Sequence, residues 1–220
     1  MQERRRNETP QSQSPKGDKA KVPEEHWGDL EQRDVKELCE YGMASAFPPD
    51  GLILPFLERD LFVDMTSRCL KTLKNGAWER VEYPLLELLV LVYLLKVGPN
   101  LPSNDMVSAK ELKSAHFFQG PHELRISPLL DVFGQDLSGF KKAAESLGGQ
   151  SLDLADVAFR IITFPKVPLY YLFWEGDDEF EPRLSVLFDR TIEKHLSADA
   201  IWGLVNLMTD ALLRAPDLPF

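Results

Sequence analysis

Two kinds of hydrophobic spacing alternate along this chain, and the switches between them mark its elements. Pro23 and Glu24-Glu25 open a stretch in which Trp27, Leu30, Val35 and Leu38 recur along one side. Proline suits a first helical turn and acidic residues suit its positive end, so a helix is expected from Pro23 to about Tyr41, ended by Gly42. From Leu52 the runs become short and β-like: Leu52–Leu57, Leu61–Met65, Arg68–Leu73 and Trp78–Val81. Asn75-Gly76 between the last two favours a type I′ hairpin, because both residues tolerate positive φ. A small antiparallel meander is expected there.

Pro84 then introduces Leu85 to Leu95, apolar nearly all round, as in a helix enclosed by the rest of the fold. Gly98-Pro99-Asn100 stops it, and Leu101 to Ser108 reads as loop. A short helix is expected with Ser127 as N-cap, Pro128 at its first position and Gly134 as its stop. Another follows from Leu137, with Leu137, Phe140, Ala144 and Leu147 on one face and Gly148-Gly149 at its end. Strands are expected at Val157–Thr163, Val167–Trp174 and Leu184–Phe188, the last two pairing as a hairpin with Glu175 to Pro182 at its tip. Ser197 caps a final helix striped by Ile201, Leu204, Val205, Met208 and Leu212. The fold class is α+β: small antiparallel sheets packed with a buried central helix and amphipathic N- and C-terminal helices.

A chain of 220 residues, 44% hydrophobic, can bury one sizeable core. Residues 1–22 stand apart, with Arg4-Arg5-Arg6, scattered polar residues and no large apolar residue after Met1 until Val22, so they read as a disordered tail before a single domain at 23–220. Six Lys/Arg and three Asp/Glu fall in Met1–Lys21, so 19 basic and 32 acidic residues remain, a net of −13 out of the total −10. Such a body repels phosphate backbones, which argues against a nucleic-acid partner. The longest apolar run, Leu85 to Val97, contains Glu87 and Lys96 and is short of the roughly 20 residues a membrane span needs. No apolar segment follows the Arg triplet as in a secretory signal, and a cytoplasmic protein is expected. Cys39 and Cys69 are isolated, which points to ordinary thiols rather than a disulfide or a cysteine-ligated metal site.

Candidate chemistry concentrates where an apolar strand runs into acid. Glu175, Asp177, Asp178 and Glu179, with Glu181, place five carboxylates in seven residues, the oxygen donors that a hard cation such as Ca²⁺ or Mg²⁺ takes. The spacing matches no calcium loop, and a hairpin tip also favours Gly and polar residues. These four carboxylates are the ligand or metal candidates, and mutual repulsion among them is one way to make a general acid. Trp174 and Phe180 beside them, and His116 and His122 in an aromatic Gly-Pro loop, are candidate pocket residues. The two histidines lack a third ligand or an HExxH helix. His195, just before a helix cap, reads as a surface or packing residue. No GxSxG elbow, GxxxxGK[ST] or GxGxxG loop is present, so no catalytic residue is assigned and no cofactor is named.

Phe140–Gly149, Phe164–Pro168, Phe173–Phe180, Leu187–Asp189 and His195-Leu196 resemble the successive blocks of an uncharacterised domain family of anaerobic bacteria and archaea, the 3786-numbered domain of unknown function. The resemblance extends more weakly through Leu88–Leu95, Lys110–Leu112 and Leu130–Gly134, and Trp174 to Phe180 is its most specific block. It implies membership and no catalytic assignment. Some relatives carry a cysteine-rich iron–sulfur segment that this sequence lacks, which argues against a redox role. The leading reading is a non-catalytic accessory or ligand-binding domain in anaerobic metabolism, to which the resemblance adds metal or tetrapyrrole cofactor handling. Two other readings stand beside it: an enzyme with a metal-assisted or acid–base site in the acidic loop, and a structural subunit that binds another protein through the C-terminal helix, which an exposed Trp202, Leu204 and Met208 stripe would support.

Overall fold

A computed structural model describes residues 22–49, 51–176, 179–215 and 217–218. Among them are six α-helices and two antiparallel sheets of five strands each, an α+β fold. The tail before Val22 lies outside the described residues.

Where one N-terminal helix is expected there are two, α1 (Glu24–Glu31) and α2 (Val35–Gly42). Asp34 causes the break: at ψ 119° it is extended, and its carboxylate accepts from the N–H groups of Lys36 and Glu37 at 2.7 and 3.4 Å. A side chain that caps a new helix competes with continuing the old one.

The first sheet is a meander of β1 (Ser45–Phe47), β2 (Gly51–Phe56), β3 (Arg59–Asp64), β4 (Cys69–Lys74) and β5 (Ala77–Arg80), paired in that order. Asn75 and Gly76 turn the last hairpin with φ of 50° and 80°. Alternation sends Leu52, Leu54 and Phe56 of β2 into the core with Leu61 and Val63 of β3. The sheet curls strongly. Its first and last strands would lie about 19 Å apart if flat, yet the Phe47 ring lies 6.2 Å from that of Trp78, with Phe62 4.8 and 5.5 Å from each.

The central helix α3 (Pro84–Lys96) has no exposed residue from Leu85 to Leu95. Its one acid in that run, Glu87, accepts from Trp27 Nε1 at 3.0 Å, so α1 supplies the polar partner that makes a carboxylate tolerable there. The second sheet has the order β6 (Met106–Val107), β10 (Arg183–Asp189), β9 (Val167–Trp174), β8 (Val157–Phe164) and β7 (Gln150–Leu152). The short edge strands β1, β6 and β7 were not expected from the sequence, because two or three residues carry too little periodicity. Ser127 lies inside α4 (Ser127–Phe133) and makes no cap bond; Ile126 takes the cap position. Then follow α5 (Leu137–Ser146) and α6 (Ala198–Arg214), where Ser197 is the N-cap residue without a side-chain bond.

One hydrophobic cluster runs through both sheets and all six helices. Leu57 N–H donates to the Thr163 carbonyl at 2.9 Å and Phe56 packs on Phe164 at 4.9 Å, joining the sheets at one corner. Helix α6 is core rather than rim: Leu204 and Met208 are fully buried, while Trp202 is half-buried and its Nε1 donates to the Glu123 carbonyl. The Trp202, Leu204 and Met208 stripe therefore does not present a partner surface.

Candidate functional site

Strands β9 and β10 pair from Leu169 and Phe188 out to Trp174 and Arg183, so the acidic block connects them at the turn end of a regular hairpin. There the Arg183 guanidinium lies 5.3 Å from the Trp174 ring centroid, a geometry that favours a cation on an aromatic face. The Glu175 N–H donates to Asp156 Oδ2 at 2.9 Å and ties the tip to the β7–β8 connection. Gly176 has a steric reason: a Cβ there would stand 2.7 Å from Pro182 Cδ, because the tip folds back on itself. Asp156, Trp174, Glu175, Phe180, Glu181 and Arg183 line a cleft of about 490 Å³. Phe180 is 69% exposed, unusual for a large apolar ring and unlike the buried Phe173 one strand end away.

Of the candidates from the sequence, Trp174, Glu175 and Phe180 come together in this cleft, and Glu179 is exposed nearby in the chain. Asp177 and Asp178 lie outside the described residues. His116 and His122 do not line the cleft. His116 is exposed on the 3-10 turn Ala115–Phe117, whereas His122 stacks on Phe117 at 4.3 Å and meets Trp202 edge-on at 5.6 Å. His122 thus packs the loop onto α6. No group of three or more His, Cys, Asp or Glu among the described residues is arranged to hold a metal ion.

A second polar cluster lies inside the protein. Asp189, at the end of β10 and fully buried, accepts from the N–H and Oγ of Ser103, from Asn104 N–H, and from the N–H and Oγ1 of Thr191, at 2.6 to 3.0 Å. Burial would raise its pKa, but these donors prevail and hold it below the usual carboxylate value. His195 is also fully buried, and neither ring nitrogen has a hydrogen-bond partner. Burial, with the Lys166 ammonium next in strength, pushes its pKa down to about 4, against a smaller upward pull from Asp189. Lys166 is only 2% exposed, and burial lowers its pKa as well.

Residues 34–211 match the family described as Domain of unknown function (DUF3786). The chain belongs to this family. The matched span begins at Asp34, the cap of α2, and takes in both sheets and nearly all of α6, so the tip cleft and the buried cluster are both parts of the DUF3786 domain. No curated protein and no solved structure matches the chain.

The sequence reading missed the DUF3786 domain's buried cluster because its members are scattered. Lys166, Asp189 and His195 sit in three of the blocks that carry the family resemblance, Phe164–Pro168, Leu187–Asp189 and His195-Leu196. A charged or titratable residue embedded in each of three otherwise apolar blocks was the available signal.

Proposed function

We propose that this DUF3786 protein is a non-catalytic accessory domain of cytoplasmic anaerobic metabolism that binds a planar, polar-edged ligand in the cleft at the β9–β10 tip. The observation that carries the reading is the cleft's composition: Trp174 and Phe180 supply aromatic surface, Arg183 a cation, and Asp156, Glu175 and Glu181 carboxylates, within about 490 Å³. Ligand sites commonly combine apolar walls with a few convergent polar groups in a volume of roughly 300 to 1,000 Å³. A ring would lie along the aromatic surface, its acidic substituents toward Arg183 and its donors toward the carboxylates. Metal or tetrapyrrole cofactor handling is the class that family resemblance attaches to the domain.

Protein purified without oxygen and examined by native mass spectrometry tests the proposal, together with titration by protoporphyrin IX followed through its absorbance. A bound planar molecule, or saturable porphyrin binding near or below about 10 μM that weakens at least tenfold in Trp174→Ala, is the expected result. An apo mass together with no saturable absorbance change would overturn it.

A further inference from the structure

The family match begins at Asp34, the residue at which the chain breaks between α1 and α2. The two helices are finished independently there. Asp34 caps α2 with its own carboxylate, while the N–H groups of Gln32 and Arg33 close α1 on the carbonyls of Asp29 and Leu30. Neither helix needs the other for its terminal hydrogen bonds, so residues 32–34 form a hinge and α1 is an appendage to the DUF3786 domain.

What α1 covers belongs to the domain itself. Trp27 and Leu30 are buried in the cluster that contains α3. Trp27 Nε1 donates to Glu87 in the first turn of α3, and Arg33 Nη1 donates to the Leu95 carbonyl at 2.9 Å in its last turn, so the segment runs alongside α3 in the same direction. Glu87, Val90, Leu91 and Leu94 recur at helical spacing on that side of α3, an apolar strip with a carboxylate at one end and a free helix-end carbonyl at the other. At the Glu87 end the surface opens into a cleft of about 600 Å³ that Arg80 and Tyr83 also line, which leaves the strip approachable from there.

The fastening is light. Eight residues make a helix too short to be stable alone. Arg68, in the turn between β3 and β4, clamps it with two bonds of 2.8 Å to Glu31 and one of 3.1 Å to Glu24, but all three side chains are exposed and such pairs contribute little. Burial of Trp27 and Leu30 supplies the main hold.

We infer that α1 is a displaceable strap, and that the strip of α3 beneath it is a docking groove for a helix of another protein that repeats the strap's chemistry. That helix presents a tryptophan to Glu87, an apolar residue three positions on and a basic residue six positions on, as Trp27, Leu30 and Arg33 do. The groove is separate from the tip cleft, whose described walls belong to other elements.

The test uses the full chain, with a peptide of residues 22–34 added in trans. Native-state hydrogen exchange should show the α1 amides opening about tenfold or more faster than those of β9, and Arg68→Ala should raise the α1 rate severalfold while leaving β9 unchanged. Trp27→Ala, which loosens the strap, should melt below the unmodified chain and recover saturably as the peptide is added, whereas a peptide carrying the same Trp27→Ala change should restore nothing. An α1 that exchanges only together with β9, or a peptide that restores no stability, would overturn the inference. If Trp27→Ala does not fold, Arg68→Ala takes its place in the titration: saturable peptide-induced shifts of the Leu91 and Leu94 amide resonances are the expected result, and none up to about 1 mM peptide would overturn it.

Discussion

Tyr93 lies flat against Phe164, with ring centroids 4.6 Å apart and planes inclined by 9°. The pair clasps the central helix α3 to strand β8, and the Tyr93 hydroxyl donates to the Gly42 carbonyl at 3.2 Å, which adds the end of α2. Tyr93→Phe keeps the stack and leaves the Gly42 carbonyl without this donor, so a loss of about 1 kcal/mol is expected. Tyr93→Ala also opens a cavity and should cost about 3 to 5 kcal/mol. Urea melts of the two variants separate the hydroxyl from the ring.

Stability should fall as pH drops from about 6.5 towards 4. The unfolded histidine takes a proton near 6.5, while His195 in the folded chain resists protonation down to about 4. Between those values the unfolded state binds more protons, and acid favours unfolding by up to about 3 kcal/mol from this residue. His195→Leu cannot take the proton, and its urea midpoint should lose that part of the pH dependence. An unchanged pH profile in the variant would count against the assignment.

Asp189→Asn should be expensive. The amide nitrogen of asparagine cannot accept, so at least one of the donors from Ser103, Asn104 or Thr191 is left facing another donor. A cost of about 2 to 4 kcal/mol is expected for this buried network. Asp105→Asn serves as the contrast, because the Arg190–Asp105 pair is about half exposed on both sides and should contribute less than about 1 kcal/mol. Denaturant melts at pH 7 compare the two.

Gly51→Ala should damage the β2–β3 pairing. A Cβ at Gly51 would stand 1.9 Å from the Val63 carbonyl oxygen, and backbone in a ladder has little room to retreat. A loss above about 2 kcal/mol is expected. Gly98→Ala, where a Cβ meets nothing within 4 Å, is the control, and circular dichroism melts read both.

The β2–β5 meander, α3 and the β8–β9–β10 run were legible because each is announced by neighbours in sequence: Asn75-Gly76 at a turn, Pro84 before an unbroken apolar run, alternation bounded by prolines. The split between α1 and α2 was harder, since Trp27, Leu30, Val35 and Leu38 keep a helical spacing across it and only Asp34 marks a restart. The tip was equally plain as a motif. Its cleft was not, because Asp156 and Arg183 reach it from β8's entry and β10 rather than from the block itself.

By itself the sequence determined what local chemistry controls: an α+β chain with an enclosed central helix, an acidic hairpin connection between Trp174 and Phe180, and membership of the DUF3786 family. Only the tertiary structure decided that α6 is core, that His122 is packing, and that His195 is buried with neither ring nitrogen hydrogen-bonded. The reason is sequence separation. Lys96 and Leu196 are 100 positions apart and Ser103 and Asp189 are 86, so burial and pairing are set by how the helices close over the sheets. An imidazole next to a helix cap reads the same in sequence whether it meets water or the inside of the protein.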